Sequence, residues 1–262
     1  MHADDLAVAL RLADAADAIT TARFRAADLV VARKPDRSPV TDADTAVEDA
    51  VRAILAEERP GDAILGEERG GAVGAGRTWI LDPIDGTKNF LRGNPVWATL
   101  IALVDGGEPV VGVVSSPAIP RRWWATAGAG AWSSEGRQLR VSGIAALEDA
   151  YVSTTHLGDW VEYHSREAYL ALVDACWENR AFGDFWQHVL VAEGSVDIAA
   201  EPIANAWDLA AVQVLVTEAG GTFTDLYGRP GFDHGTALAT NGLLHAGALA
   251  ILQAGVSAPR TT

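Results

Sequence analysis

The chain has very little cysteine, since Cys176 is the only one among its 262 residues. A single thiol excludes an intramolecular disulfide bond and is typical of proteins from a reducing cytosol. No uncharged run approaches the roughly 20 residues that a membrane-spanning helix needs. The first ten residues, MHADDLAVAL, carry acids where a secretory signal peptide carries bases. We therefore expect a cytoplasmic protein that does not associate with membranes.

Basic residues are also scarce, because 20 Lys and Arg stand against 35 Asp and Glu, a formal net charge of −15. Nucleic-acid-binding proteins present basic surfaces, so this balance argues against a nucleic-acid partner. An acidic protein that acts on an anion needs cations to mediate the contact, and an acidic surface that only maintains solubility is the alternative. The six histidines have no metal-site spacing such as HxxxH. His188 falls in a predicted helix and could reach a pocket, although a lone helical histidine is more often structural.

The chain alternates between helical and extended patterns, which predicts a mixed α/β (α+β) protein. The predicted helices cover residues 4–25, 41–57, 163–177, 185–193, 207–221 and 243–253. The predicted strands cover residues 28–34, 63–68, a segment starting at 79, a hairpin over 97–117, a pair over 121–134, 195–201, 221–226 and 237–241. A proline-rich turn is predicted over 34–40 and a glycine-rich loop over 69–77.

The stretch WILDPIDGTKNF, residues 79–90, places two aspartates three residues apart at the end of an apolar strand. A charge removed from water costs several kcal/mol unless something neutralises it. The intervening proline stiffens the turn, so Asp82, Asp85 and the Ile84 carbonyl are expected to face one direction. Oxygen ligands in that arrangement suit Mg²⁺. The next residues, Gly86 and Thr87, can present amides at the start of a short helix, where phosphate binds.

Acids appear at strand ends or helix starts in three further places, and each has a structural explanation. Asp44 follows Thr41 by three residues, which matches a capping box. Glu67 and its neighbour Glu68 could be solvated loop acids. Asp208 lies in the first turn of a predicted helix, where the helix dipole favours a carboxylate. Together with the 79–90 stretch, however, these acids are consistent with two ions that clamp the attacking and leaving oxygens of a phosphate displacement.

Four motifs occur in an order that resembles the inositol monophosphatase superfamily of metal-dependent phosphatases: VTDAD at 40–44, GEE at 66–68, DPIDGTKNF at 82–90 and WDLAA at 207–211. The resemblance covers essentially the whole chain. It implies a layered αβαβα sandwich of the inositol monophosphatase and fructose bisphosphatase type, usually assembled as a homodimer. It also implies one compact unit of two halves. Residues 1–145 would carry most metal ligands and the phosphate cradle, and residues 146–262 the substrate-side residues and the last ligand.

The resemblance implies two to three Mg²⁺ ions, with Mn²⁺ as the alternative metal. The implied ligands are Glu67, Asp82 and the Ile84 carbonyl for the first ion, Asp82, Asp85 and Asp208 for the second, and Asp44 beside Glu67, partly through water, for a looser third.

The resemblance also assigns catalytic roles. It implies that Thr87 and Glu67 orient the attacking water with Asp44 close by, and that the amides of Gly86 and Thr87 receive the phosphate. Lys88 could touch the phosphate, and a solvated lysine is equally consistent with the sequence.

Substrate choice depends on the stretch RAFGDFW, residues 180–186, where the family usually has a small neutral residue at the position of Asp184. Asp184 and Glu201, with Asp85 or Asp208, would suit a substrate that carries an ammonium group, because charge-assisted hydrogen bonds are roughly twice as strong as neutral ones. This departure, with RRWW at 121–124, is similar to the histidinol-phosphate phosphatases of the actinobacterial type. It implies hydrolysis of histidinol phosphate to histidinol in histidine biosynthesis.

Three alternatives stay open. Asp184 could simply cap the helix that begins there. The substrate could be inositol 1-phosphate or another sugar or polyol phosphate. The chain could also be a non-catalytic, acidic metal-binding protein that kept the fold.

Overall fold

Two large β-sheets form the frame of the fold in the computed structural model, which describes residues 2–35, 38–74 and 76–254. The strands are β1 Val31–Arg33, β2 Pro39–Thr41, β3 Ala63–Gly66, β4 Thr78–Asp85, β5 Ala98–Asp105, β6 Glu108–Ser116, β7 Arg121–Thr126, β8 Gly130–Ser133, β9 Tyr151–Ser153, β10 Glu178–Arg180, β11 Ile198–Glu201, β12 Thr222–Thr224 and β13 Ala237–Thr240. The helices are α1 Ala3–Arg23, α2 Asp42–Glu58, α3 Thr87–Leu91, α4 Asp159–Tyr163, α5 Arg166–Ala175, α6 Asp184–Ala192, α7 Ala206–Glu218 and α8 His245–Gln253, with a 3₁₀ turn at Leu147–Asp149.

The sheets and helices alternate in layers. One sheet has six strands in the order β3-β4-β5-β6-β7-β8, and the other has five in the order β10-β9-β11-β13-β12. Helices α1 and α2 cover the outer face of the six-stranded sheet, α6 and α7 fill the space between the sheets, and α5 and α8 cover the outer face of the five-stranded sheet. This arrangement confirms the predicted layered αβαβα architecture. The division into halves at residue 145 stays a prediction.

Strand alternation explains why both faces of the six-stranded sheet are apolar. Successive side chains of a strand point to opposite faces. In β4, Trp79 and Leu81 pack with α1 and α2, while Ile80 packs with α6 and α7. A strand buried on both sides reads as a continuous apolar run. The sequence WIL before the two aspartates is such a run.

The two aspartates predicted at the end of the apolar strand lie inside β4, at a bulge. The strand continues through Asp82-Pro83-Ile84-Asp85, all buried. Asp82 pairs with Leu100 and Asp85 with Ala98, so three steps on β4 correspond to two on β5. One extra residue bends a strand and re-aims its side chains. A proline has no N–H to donate, and it is tolerated at a bulge because the ladder is interrupted there.

The other predicted elements are largely confirmed, with differences at short ones. The predicted helix over 163–177 corresponds to α5, which begins after Ser165, and the short helix α4 before it was not predicted. The sequence analysis missed β9 and β10, which are too short for a periodic pattern. In the predicted turn over 34–40, Pro39 and Val40 belong to β2, whereas residues 36 and 37 lie outside the described residues, as does residue 75 of the predicted loop. Within the described part of the chain, no helix combines the length and apolar character needed to cross a membrane.

Candidate active site

Three carboxylates from distant parts of the chain converge at the end of the six-stranded sheet. Oxygens of Asp82, Asp85 and Asp208 all lie within 4.8 Å of one another. The bulge in β4 supplies the first two, and the first turn of α7 supplies the third. The sequence had predicted that these three would share a site, and the structure brings them together.

The cluster is electrostatically unfavourable without a counter-ion. Asp82 is 2% exposed, and burial, followed by the charges of Glu67, Asp85 and Asp208, raises its pKa well above the usual range. Burial and then Asp184 and Asp208 raise the pKa of Asp85 in the same direction. Burial raises the pKa of Asp208 to about 7. Hard carboxylate oxygens in this arrangement fit a divalent cation such as Mg²⁺.

Backbone amides hold one oxygen of each carboxylate. The Ile84 amide donates to Asp82 Oδ1 at 3.0 Å, the Phe185 amide donates to Asp85 Oδ2, and the Asn205 amide donates to Asp208 Oδ2 at 2.7 Å. The carboxylates are therefore oriented before any ligand arrives, and each retains an oxygen that these amides do not occupy.

Asp44 caps α2 with one carboxylate oxygen and leaves the other oxygen unused by the cap. It completes a capping box on α2, in which the Thr41 amide donates to Asp44 Oδ2 at 2.8 Å. Its other oxygen, Oδ1, is buried without a hydrogen-bond partner among the described residues. Burial raises its pKa to about 6, against the hydrogen bonds from Thr41 that lower it, and Glu68 and Glu67 raise it further. Because buried polar atoms are nearly always paired, an orphaned carboxylate oxygen fits a cation.

Lys34 occupies the position beside Glu67 and was missed by the sequence analysis. Its Nζ lies 2.7 Å from Oε1 of Glu67 and 2.7 Å from Oε1 of Glu68. Burial lowers the pKa of Lys34, but hydrogen bonds to the two glutamates raise it by more, so the ammonium stays charged. A cation bound by Glu67 would have to share that carboxylate with Lys34 or displace it. The role of Glu67 as a metal ligand stays a prediction.

Glu48 fixes the loop that carries Glu67. One turn after Asp44 on α2, its buried carboxylate accepts the Glu68 amide at 2.7 Å and the Arg69 amide at 3.0 Å. A Cβ on Gly66 would lie 2.2 Å from Glu48 Oε1, so a larger residue at 66 would displace this carboxylate from the amides that it accepts. In the sequence, Glu48 is indistinguishable from a surface acid on an amphipathic helix.

The Gly86-Thr87 turn lies next to the cluster. Gly86 has φ of 82°, and a Cβ there would approach the Val96 carbonyl oxygen to 3.1 Å. Thr87 begins α3, and its hydroxyl donates to the Ile84 carbonyl at 3.0 Å. The predicted ligand carbonyl and the predicted catalytic hydroxyl are therefore hydrogen-bonded to each other. Lys88 is exposed and borders the same cleft.

Asp184 and Glu201 lie on the other side of the cluster. Gly183 is the N-cap of α6, so the alternative that Asp184 caps this helix is wrong. Burial raises the pKa of Asp184, and the charge of Lys88 lowers it. Glu201 is 5% exposed, and burial raises its pKa well above the usual range. The Thr155 hydroxyl links the two acids, because it donates to Glu201 and accepts the Asp184 amide at 2.8 Å.

A cavity of about 130 Å³ opens beside the three clustered aspartates. Its charged lining residues within the described chain are acids, namely Asp85, Asp159, Asp184, Glu201 and Asp208. Its apolar lining residues include Phe185, Leu209 and Ile203. His188 lines the same cavity, so the expectation that it could reach a pocket is confirmed. The sequence analysis missed Thr155 and Asp159, which precede or begin a short helix without a recognisable motif.

Comparisons with known proteins agree with this geometry. The profile described as "Inositol monophosphatase family" matches residues 2–257. The histidinol-phosphatase of Mycobacterium tuberculosis is 54% identical over 260 residues, which cover 97% of this chain and 100% of that protein. The histidinol-phosphatase of Streptomyces coelicolor is 50% identical over 252 residues, which cover 93% and 95%. A solved inositol monophosphatase from Zymomonas mobilis superposes with a TM-score of 0.86 at 34% identity, covering 97% of this chain and 99% of that one.

Proposed function

The chain belongs to the inositol monophosphatase family, and from that membership we propose that it hydrolyses histidinol phosphate to histidinol and inorganic phosphate with divalent metal ions. The reaction would belong to histidine biosynthesis and take place in the cytoplasm. The observation that carries the choice of substrate is the acidic cavity beside the aspartate cluster.

The metal would be held by the clustered acids. The proposed ligands are Asp82, Asp85, Asp208, Glu67, the Ile84 carbonyl and, more loosely, Asp44. Support comes from the 4.8 Å clustering of three carboxylates and from the orphaned Oδ1 of Asp44. We propose Mg²⁺ as the ion, with Mn²⁺ as a functional substitute. When bound, the ions would supply positive charge at the attacking and leaving oxygens of phosphate displacement.

Thr87 is proposed to orient the attacking water. Its hydroxyl donates to the Ile84 carbonyl at 3.0 Å, so its oxygen lone pairs remain able to accept a hydrogen bond from a water molecule. Glu67 would accept a second hydrogen bond from that water, with Asp44 nearby. The amides of Gly86 and Thr87 would receive the phosphate, and the positive φ of Gly86 gives the turn that exposes them.

The amino-alcohol part of the substrate would enter the acidic cavity. In histidinol phosphate the ammonium-bearing carbon is bonded to the phosphorylated carbon, so the ammonium must lie close to the metals. Asp184 and Glu201 are the acids proposed to meet it, assisted by Asp85 and Asp208. A polyol phosphate has no cationic group that could neutralise the negative charges of these buried carboxylates.

Initial rates of phosphate release test the proposal. Histidinol phosphate, inositol 1-phosphate and fructose 1,6-bisphosphate would be compared at equal concentration with Mg²⁺, with Mn²⁺ and with chelator. We expect the highest kcat/KM on histidinol phosphate and no activity in chelator. A preference for inositol 1-phosphate would contradict the assignment of the substrate. No phosphate release from any of the three substrates with Mg²⁺ present would favour a non-catalytic metal-binding protein.

We also propose that the chain forms a homodimer. Some large apolar side chains stay exposed in the described chain, including Val161 at 66% and Trp177 at 70%. A second copy that covers such residues would remove them from water. Light scattering coupled to size exclusion measures the assembly, and a mass of 27.6 kDa in solution would contradict it.

A further inference from the structure

His188 lies one helical turn beyond Asp184 on α6. Residues four apart on a helix lie on the same face and are separated by roughly 6 Å along the axis. Both side chains line the acidic cavity. Helix α6 therefore presents two different polar groups to whatever fills that cavity, first a carboxylate and then an imidazole.

One imidazole nitrogen of His188, Nδ1, has no hydrogen-bond partner among the described residues. The side chain is 2% exposed, and its Nδ1 is buried without a hydrogen-bond partner among the described residues. Its ring packs at 6.0 Å from the ring of Phe223. Buried polar atoms are nearly always hydrogen-bonded, so an unpaired nitrogen on a residue that lines a cavity is a candidate contact for a ligand.

Burial also fixes the protonation state of His188. It lowers the pKa to about 4, so the ring is neutral at neutral pH. A neutral imidazole has one N–H donor and one bare nitrogen acceptor. It therefore cannot repel the ammonium of the substrate, and it can pair with a group that either donates or accepts.

We propose that His188 recognises the heteroaromatic end of the substrate by a direct hydrogen bond, and so determines which amino-alcohol phosphates are hydrolysed. This inference rests on the proposed function. The ring of such a substrate is attached two bonds beyond the ammonium-bearing carbon, so it reaches past Asp184 in the direction away from the metals. Phe185 and Leu209 line the same cavity and offer apolar contacts to the ring faces.

The competing explanation is that His188 is only a core residue. In that case a phenylalanine would fill the same volume, and substrate preference would not change. The two explanations differ in the ratio of kcat/KM for a ring-bearing and a ring-free amino-alcohol phosphate. This ratio, measured on one preparation, does not depend on the fraction of folded enzyme.

The experiment measures kcat/KM on histidinol phosphate and on phosphoethanolamine, which carries an ammonium and no ring. We expect His188→Phe to lower the ratio of kcat/KM on histidinol phosphate to kcat/KM on phosphoethanolamine by roughly tenfold, because about one hydrogen bond is lost. Most of this change should come from a higher KM for histidinol phosphate. His188→Asn and His188→Gln place an amide near Nδ1 or Nε2, and one of them should restore most of the ratio. His245→Phe is the matched control, because His245 is buried but bonded to Thr224 and Thr240 outside the cavity.

An unchanged ratio in His188→Phe would overturn the inference, as would an equal fall in His245→Phe or no recovery in either amide variant. The wild-type protein separates this inference from the proposed function. If wild type does not hydrolyse histidinol phosphate, the proposed function fails. If wild type is active and the ratio in His188→Phe stays the same, only the role of His188 fails.

Discussion

Replacing Asp82 by asparagine should make the metal-free protein more stable and the enzyme inactive. Asp82 is buried among Asp85, Asp208 and Glu67, whose charges all raise its pKa. Asparagine has nearly the same shape, and its Oδ1 can still accept the Ile84 amide that now donates at 3.0 Å. The substitution therefore removes one charge from a crowded site and keeps the backbone contact that holds the bulge.

The structure bounds the size of this effect. Two unit charges 4.8 Å apart, the upper separation in the cluster, repel by about 3.5 kcal/mol at an effective dielectric constant of 20. Protonation limits the penalty, because holding one aspartate neutral at pH 7 costs roughly 4 kcal/mol. After subtracting the cost of burying an amide that is only partly hydrogen-bonded, we expect a net gain of about 1–3 kcal/mol. At about 3 °C per kcal/mol, Tm in chelator should rise by roughly 3–9 °C.

Thermal unfolding in chelator and in millimolar Mg²⁺ measures both consequences. Wild type should gain stability with Mg²⁺, by about 2.7 kcal/mol at a hundredfold excess over Kd, and Asp82→Asn should lose most of that gain. Asp197→Asn is the matched control, because Asp197 is a buried acid held by the Tyr151 amide at 2.7 Å and by Ser142, away from the cluster. The control should be destabilised in both buffers and should keep the Mg²⁺ response.

The reasoning would be refuted if Asp82→Asn were destabilised in chelator as much as Asp197→Asn. Lys34 or another internal cation would then neutralise Asp82 without metal. Phosphate release by Asp82→Asn at the wild-type rate would refute the metal site itself.

Three further predictions concern the neighbours of the cluster. Asp184→Ser should lower kcat/KM on histidinol phosphate by roughly tenfold to a hundredfold, because a hydrogen bond to a charged group is lost. Its kcat/KM on inositol 1-phosphate should not change, and an equal fall on both substrates would contradict a role in selection. Gly86→Ala should lower phosphatase activity and Tm, since φ is 82° and the new Cβ would lie 3.1 Å from the Val96 carbonyl oxygen. Activity and Tm at the wild-type level would show that the turn relaxes without cost. Tm in chelator should rise as pH falls from 8 to 6.5. Burial raises the pKa of Asp208 from 3.8 to about 7, so the folded state binds more protons than the unfolded chain in that pH range. Saturating Mg²⁺ should flatten this pH dependence, and a fall of Tm as pH is lowered would contradict the assigned shift.

Local chemistry explains why much of the site could be predicted from the sequence. An apolar run that ends in two aspartates around a proline requires something to compensate the buried charges, and a cation is the simplest candidate. The structure brings Asp82 and Asp85 together with Asp208, which is 123 residues further along the chain. The capping box of Thr41 and Asp44 could also be predicted from the sequence, because both partners lie within one helical turn.

Contacts between distant and individually ordinary residues escaped the sequence analysis. Lys34 pairs with Glu67 across 33 residues, and Glu48 accepts the Glu68 amide across 20. Neither Lys34 nor Glu48 belongs to a motif, and each would suit a solvated surface equally well. Only the packing of α2 and the β1–β2 hairpin against the 67–69 loop reveals their roles. The same limit applies to the bulge in β4, whose register depends on the partner strand β5.

Helix α6 connects the aspartate cluster to the acidic cavity. The amide of Phe185 donates to Asp85 in the cluster, while the neighbouring Asp184 and then His188 line the cavity. Asp184 holds φ of 47°, an uncommon value for a residue other than glycine, and the Thr155 hydroxyl that accepts its amide also donates to Glu201. A change in how the cavity is filled would therefore act on the same backbone segment that orients Asp85. Residues 184 and 185 are consecutive, and the Thr155 hydroxyl holds the amide of the first. A substitution at 155 that removes this acceptor should therefore alter kcat as well as KM.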